Sequence, residues 1–548
     1  MRKTKNFFNE ETFNYKDIIL LGIIVVGYTI LSFINFGTKK SPQTFYEINN
    51  TNGIKITLPE IIDVNKIVFF NGRHSGNYII MLSTDDKEYS SDLMMKGSGA
   101  FSWDIGKLNQ QAKYVKLIPK ESTLTMGEIA FYDNGNNKLQ ISITTNGNSI
   151  SELTDEPSTI PENKNSVNSS YFDEVYFARS AYEYAAGLKV YDWVHPPLGK
   201  LIQSIPIKLS KKMAPFYYRL TSNIAGILMI IVMYLFGKEM FKKRKYATLA
   251  ALLMTFDTLH FAQTRIGTID SILALFILLS YFHMYRYIKY SKTYDIGLSG
   301  LYFGLSACVK WSGLWAGLGL CIIYVINKIV QKQKLSDFIF NGLVFFIIIP
   351  TFIYASSYLI YPHLNSREVD SIEQIVKQTK QTYEYHRDLK ADHPFTSKWY
   401  TWPISYKPVW YYTNDISPNS RQTIVGVGNI LIWWPAILTF LLLPYYIIKK
   451  KNKKSLFLLI TIASIYIPYI FIGRVMFLYH YFIILPFMMM TIVNFFYQFN
   501  KNNKKDIFIV LYTVLVIATF IIYYPVVSGM TVTKDYIEST KILSSWEY

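Results

Sequence analysis

Cysteine is nearly missing from this chain: there are two, Cys308 and Cys321, both inside apolar segments. That excludes a disulfide framework for any exported part and a cysteine metal site. Charge is sparse too, at 17% of 548 residues against 51% hydrophobic. Acids are the scarcer sign, 38 against 56 Lys+Arg, for a net charge of +18. A nucleic-acid binder would gather that excess on one soluble face. Here much of it falls in short clusters between apolar runs, so no nucleic-acid partner is expected. There is no HExxH or paired-Cys spacing, so no ligand motif supports a divalent metal. No small-residue cleavage pattern follows the first apolar run, which reads as a retained signal anchor rather than a cleaved signal peptide.

Long apolar runs are what the chain does have. A run of ~20 residues matches the ~30 Å hydrocarbon core of a bilayer. Eleven candidates occur, at 17–36, 217–237, 246–263, 269–288, 296–309, 311–328, 337–360, 428–448, 455–473, 476–498 and 506–527. A wholly soluble enzyme, a disordered chain and a fibrous protein are thereby excluded. The mean hydropathy of +0.16 is low for a membrane bundle and implies an attached polar part. With the N-terminus (Arg2, Lys3, Lys5) in the cytoplasm, alternation makes 238–245, 286–292, 327–334, 449–454 and 500–505 cytoplasmic, each with three to five Lys/Arg. The outer connections near 264–268, 310 and 474 carry one cation each. The positive-inside rule holds at every step and puts the C-terminus outside.

Two long segments then face outward. In 41–150, short β-rich runs (GIKITL, KIVFF, NYIIMLST, KYVKLIP, GEIAFYD) alternate with Asn, Gly, Asp and Ser turns, the pattern of a β-sandwich. Its aromatics Phe45, Tyr46, Phe101 and Trp103 suit either a core or a ligand platform. Residues 151–170 are rich in Ser, Asn, Pro and Glu and read as a linker. The expected layout is 1–40 for the N-terminus and first span, 41–150 for the sandwich, 151–170 for the linker and 171–216 for a loop with amphipathic helices. Spans 2–7 follow in 217–360, an outer loop rich in Trp, Tyr and Pro in 361–427, and spans 8–11 in 428–548.

Charged groups at the outer face are the chemical candidates. Asp173 and Glu174 are adjacent, so on a helix they diverge and cannot share one site equally; acids at a helix start are also favoured by its dipole alone. HPPLGK (195–200) carries His195 and Lys200, and its two prolines set an extended entry into an amphipathic helix suited to a membrane surface. Arg219, Arg265, Lys310 and Arg474 each sit where a span meets the outer face. One such cation reads as a snorkelling anchor; four together suit an anionic headgroup, with phosphate the natural candidate. Asp257, His260, Asp270 and His480 lie on the same side but lack a metal-ligand spacing.

These motifs carry a resemblance. YFDEVYF, HPPLGK, HFAQTRIGTIDSIL, GLSACVKWSGLW, HPFTSKWYTWPISYKPVWYY and RVMFLYHYFIILPF resemble, in order, the motif series of the protein O-mannosyltransferase family, GT-C-fold enzymes that use polyprenyl-phosphate-linked mannose. The 113–133 stretch separately resembles the last strands of discoidin-like, galactose-binding-type jelly rolls. The β-rich insert departs from the family core, and 361–427 is too short for the β-trefoil repeats of eukaryotic members. The fold implied is a polytopic α-helical GT-C membrane protein with an extracytoplasmic β-sandwich in its first outer loop.

The resemblance also implies an inverting displacement, with the essential acidic pair at Asp173 and Glu174. Asp173 is then the general base toward a Ser or Thr hydroxyl, and Glu174 orients the acceptor or the loop. Arg219 is the first candidate for the donor phosphate, followed by Arg265, Lys310 and Arg474, with His195 and Lys200 in support. Trp399, Trp402 and Trp410 either contact sugar and acceptor peptide or anchor in the interfacial belt. Expected partners are the bilayer, a polyprenyl-phosphate sugar, exported Ser/Thr proteins and a glycan on the insert. Two other readings stand: a GT-C transferase acting on a lipid or cell-wall glycan, and a transporter or glycan receptor, which should show inverted repeats that this chain lacks. No residue type here separates mannose from another hexose.

Overall fold

The computed structural model describes residues 11–365, 367–500 and 505–548. The N-terminal cations Arg2, Lys3 and Lys5 and most of the 500–505 cluster lie outside them. The chain divides into two compact units: Phe36–Ala186 with Ser204–Arg219, and Met1–Asn35 with Gly187–Gln203 and Leu220–Tyr548.

The first unit is β-rich. Its strands are β1 (Tyr46–Ile48), β2 (Ile54–Asn71), β3 (Asn77–Ser83), β4 (Leu93–Lys96), β5 (Trp103–Pro119), β6 (Leu124–Asp133), β7 (Ser142–Thr145) and β8 (Asn148–Ser149). They form one eight-stranded antiparallel sheet in the order β1-β6-β2-β5-β3-β4, with β7 joined to β2 and β8 to β7. The expected sandwich is present as one hydrogen-bonded sheet whose long strands close over a main core that both ends of β2 share. β2 and β5 run its full length, and register shifts at Thr57/Ile62 and Val64/Lys66 bend them.

The end of β2 shows how sequence sets the layers. Ile67 and Phe69 enter the main core beside Val115, Ile129 and Phe131. The alternate residues Val68 and Phe70 enter a second cluster, with Phe101, Trp103, Ala178 and Ala181. A period-two strand buried on both faces reads as the continuous apolar run seen in the sequence. Of the insert's aromatics, Phe101 and Trp103 are core residues and Phe45 packs against them. The expected linker is tied into this unit: Trp103 N–H donates to Ser169 Oγ at 3.1 Å, and Ser170 N–H to the Phe101 carbonyl at 3.1 Å.

The second unit is helical. Among the described residues, eight helices are long and apolar enough to cross a membrane: Tyr15–Phe33, Pro215–Phe241, Asp270–Tyr290, Trp311–Gln331, Leu335–Leu359, Ile430–Lys450, Lys453–Phe471 and Asp506–Ser528. The other three expected spans are shorter helices, Arg244–Thr255 with Thr258–Thr264, Thr293–Val309, and Leu485–Phe499. The first of these breaks at Asp257, whose carboxylate accepts from His260 N–H (2.8 Å) and Trp433 Nε1–H (2.8 Å), capping the new helix.

The 361–427 segment folds into the polar helix Ile372–Asp388 and the hairpin Val409–Ser417/Ser420–Gly426. The strand Thr531–Thr533, beyond the last long helix, pairs with Ser420–Gln422 of that hairpin.

Candidate active site

In the β-rich unit, the acidic pair opens the helix Glu174–Ala186. The Asp173 carbonyl accepts from the N–H groups of Tyr176 and Phe177, both at 3.1 Å, so Asp173 stands at the helix entry with its side chain partly exposed. Glu174 is fully buried. Its Oε1 accepts from Arg219 Nε–H at 2.7 Å, and its Oε2 from Arg219 Nη2–H at 2.8 Å and Tyr171 N–H at 3.1 Å.

The remaining Arg219 donors go to carbonyls: Nη1 to Phe36 and Ser166, both at 2.8 Å, and Nη2 to Ser169 at 3.1 Å. A guanidinium has five N–H groups, and five acceptors surround this one. The expectation that Arg219 binds the donor phosphate is therefore corrected: every donor is already satisfied, and the cation neutralises Glu174 while tying down the 166–174 segment.

The helical unit holds a different arrangement. A cavity of about 420 Å³ is lined by His195, Lys310, Trp311, His386, Arg474 and His480, among others. Lys310 ends the helix Thr293–Val309 in extended backbone, and its Nζ sits 3.0 Å from Asp270 Oδ1. The His195 turn is built locally. Asp192 Oδ1 accepts from Val194 N–H at 3.0 Å, and Asp192 Oδ2 lies 3.3 Å from His195 Nδ1. Lys200 Nζ donates to Asp192 Oδ2 (3.1 Å) and to the carbonyls of Asp192 (2.5 Å) and His195 (2.9 Å). Lys200 is thus a buried clamp on the turn rather than a phosphate donor. Gly199 lets this turn approach: a Cβ there would lie 2.9 Å from Ile269 and 3.0 Å from Val309, the neighbours of Asp270 and Lys310.

Electrostatics keep the imidazoles neutral. Burial pushes the Asp192 carboxyl up, but Lys200 and His195 outweigh it and leave it well below the usual carboxylate range. Burial lowers His195 despite Asp192. His386, from the helix Ile372–Asp388, is brought down to about 3 by burial and by the charges of Arg474 and Lys310. Its Nδ1 contacts Arg474 Nη1, and its ring lies 5.9 Å from that of His195.

Other candidates sit elsewhere. Arg265 is buried and donates to the carbonyls of Ser32 (3.0 Å), Ile34 and Ser528 (3.4 Å). These carbonyls lie at the C-terminal ends of two helices, where unsatisfied acceptors favour a cation; this corrects its assignment to the donor phosphate. Trp402 is fully buried, stacked on His480 at 5.9 Å with its Nε1–H on Ser397 Oγ at 3.0 Å, so it supports the cavity wall instead of contacting sugar. Trp399 packs edge-on to Tyr466 at 5.5 Å. Trp410 borders a separate cavity of about 550 Å³ with Arg421, Lys541 and Trp546.

The site residues missed in the sequence are Asp192 and His386. The first had a signal, an Asx-type turn three residues before a His-Pro-Pro corner. The second had none, because nothing in a polar helix marks which face packs against the rest of the unit.

Two family models match the chain: "Dolichyl-phosphate-mannose-protein mannosyltransferase" over 203–365 and "C-terminal four TMM region of protein-O-mannosyltransferase" over 371–546. Among curated relatives, the polyprenol-phosphate-mannose–protein mannosyltransferase of Mycolicibacterium smegmatis is 22% identical over 450 residues, covering 68% of this chain and 87% of that one. The enzyme of the same name from Corynebacterium glutamicum is 22% identical over 424 residues, 64% of this chain and 81% of its own. The fold is shared with the Saccharomyces cerevisiae protein O-mannosyltransferase complex bound to the sugar donor, at a TM-score of 0.62 and 12% identity, over 69% of this chain and 89% of that one. The β-rich insert precedes both family matches. With two successive family models matched end to end and a shared GT-C fold, the chain belongs to the protein O-mannosyltransferase family.

Proposed function

We propose that this membrane enzyme moves a mannosyl unit from a polyprenyl-phosphate-linked donor to Ser or Thr hydroxyls of exported proteins. The observation that carries the reading is the cavity bounded by Lys310 and Arg474, where these two cations, Arg387 and the imidazoles of His195, His386 and His480 converge in a wall of aromatic rings. Cations preorganised in such a setting stabilise the charge that grows on a departing phosphate.

In this reaction the acceptor hydroxyl oxygen bonds to the anomeric carbon as the bond from that carbon to the phosphate oxygen breaks. The hydroxyl proton passes to a carboxylate, for which Asp173 is the candidate, and one displacement inverts the anomeric centre. Glu174 is assigned to shaping its segment, since Arg219 already occupies both of its oxygens. The N-terminus is assigned to the cytoplasm, and the 361–427 segment and C-terminus to the outer side. The basic connections support this, as does the pairing of Thr531–Thr533 with Ser420–Gln422, which keeps both segments on one side. We assign the β-rich unit no glycan ligand, because the aromatics that would form a platform pack into its own core.

The test uses the full chain in detergent with labelled polyprenyl-phosphate mannose, offering a Ser/Thr peptide in one arm and a lipid acceptor in the other. Label in the peptide, with the anomeric configuration opposite to the donor's, is expected. Label in the lipid alone replaces the protein acceptor with the glycolipid alternative.

A further inference from the structure

Lys310 and Arg474 border the same cavity but are held in opposite ways. Lys310 is paired with a carboxylate, Asp270, at 3.0 Å, which offsets its charge. Arg474 pairs with no carboxylate among the described residues. Its guanidinium meets the Nδ1 of His386 instead.

His386 reaches two loops at once. Its ring lies 5.9 Å from that of His195, in the turn that carries Asp192. A guanidinium has only donors, so the Nδ1 that meets Arg474 is the acceptor and the ring N–H is carried by Nε2. Trp311 and Tyr385 flank the ring, with centroids at 6.2 and 5.5 Å. The bearing helix is fixed by Gln378, whose Nε2–H donates to the Trp193 carbonyl at 3.2 Å, and by Trp193 edge-on to Tyr385 at 5.5 Å.

We infer that His386 is a positioning residue for Arg474: a neutral acceptor that fixes the guanidinium at the cavity without offsetting its charge, leaving that charge for the donor phosphate. A carboxylate in this position would hold Arg474 as firmly, but would cancel the charge that an anionic ligand needs. An apolar residue would leave the guanidinium free to sample orientations, a cost that binding must then meet. The inference rests on the proposed function, since it takes the cavity as the donor phosphate site.

Asn and Asp at position 386 have the same shape and differ in charge, so they separate this role from simple packing. The full chain is assayed for apparent KM toward polyprenyl-phosphate mannose and toward a Ser/Thr peptide, with thermal midpoints recorded beside them. His386→Ala is expected to raise the donor KM about tenfold, the scale of a hydrogen bond to a charged group, with the peptide KM unchanged. His386→Asn retains an acceptor and recovers most of that loss. His386→Asp matches or exceeds the alanine defect while melting no lower than His386→Asn. In an Arg474→Ala background, His386→Ala adds nothing further.

A normal donor KM in His386→Ala, equal behaviour of the Asn and Asp variants, or additivity with Arg474→Ala overturns the inference. If Arg474→Ala and Lys310→Ala themselves leave the donor KM unchanged, the cavity is not the donor site and the proposed function of the cavity falls with it. A defect in those two with a normal His386→Ala removes only the role of His386.

Discussion

Arg219 and Arg474 look alike in sequence: each is a cation beside an apolar span, near motifs of the same family series. Their surroundings differ completely. Arg219 in the β-rich unit has five acceptors for five N–H groups and a buried carboxylate for its charge. Arg474 in the helical unit borders two cavities, of about 420 and 440 Å³, and meets an imidazole rather than an acid. A cation with every donor satisfied holds a fold together; one facing open volume with its charge uncancelled is available to a ligand. Residue type does not separate these cases, whereas a count of donors against acceptors does.

The largest expected effect tests the closed side of this comparison. Arg219→Ala strands Glu174 as a buried charge without a partner, which costs roughly 3–5 kcal/mol. Loss of folded protein, or a marked drop in thermal midpoint measured in detergent, is the expected outcome. A variant that melts normally but fails only in donor binding would reverse the comparison and restore Arg219 to the ligand.

The open side should respond in the opposite sense. Arg474→Ala is expected to fold with a near-normal midpoint and to lose ~10²–10³-fold in turnover, the scale of one removed charge-stabilising donor, whereas Lys310→Ala loses as much turnover and also melts lower, because it leaves the buried Asp270 without its cation. Steady-state transfer of labelled mannose to peptide measures this. Asp173→Asn belongs with them, with a loss of ~10²-fold or more and intact folding, as expected for a general base. Near-normal transfer by that variant would remove Asp173 from the role.

Much of the architecture was legible because its causes are local or periodic. Apolar runs and basic connections give all eleven helical segments, and alternating β-rich runs give the strands β2, β3, β5 and β6. What escaped depends on partners distant in sequence. The 151–170 stretch reads as a linker by composition, yet its carbonyls are the acceptors for Arg219, 50 or more positions away. Trp402 reads either as a sugar contact or as an interfacial aromatic, but its stacking on His480 is a tertiary contact. The break at Asp257 was masked by apolar residues on both sides, although an Asp ahead of a helical turn is a capping signal. Of the candidate site, Lys310 and Arg474 were named for their place at span ends and His195 for the HPPLGK motif. Asp192 and His386 were not, since their roles appear only when three separate segments converge.

A smaller effect sharpens the comparison within the β-rich unit, between an acid buried with a cation and one buried without. Glu128 on β6 is fully buried. Its Oε2 accepts from Glu156 N–H at 3.0 Å, and its Oε1 has no hydrogen-bond partner. Burial pushes its carboxyl up from 4.5 to about 7. The folded state therefore holds a proton that the unfolded chain releases once the pH exceeds 4.5. The stability contributed by that proton is complete below the unfolded value and is lost as pH rises through about 7, so the sign is opposite to that of an acid held by a cation. Glu128→Gln keeps the shape and removes the titration. Its thermal midpoint should lie near that of the parent at about pH 5 and above it at about pH 8, the gap opening between the two. Parallel midpoints for the two proteins across that range would mean that Glu128 ionises as readily folded as unfolded, and that burial without a cation is tolerated here by some other compensation.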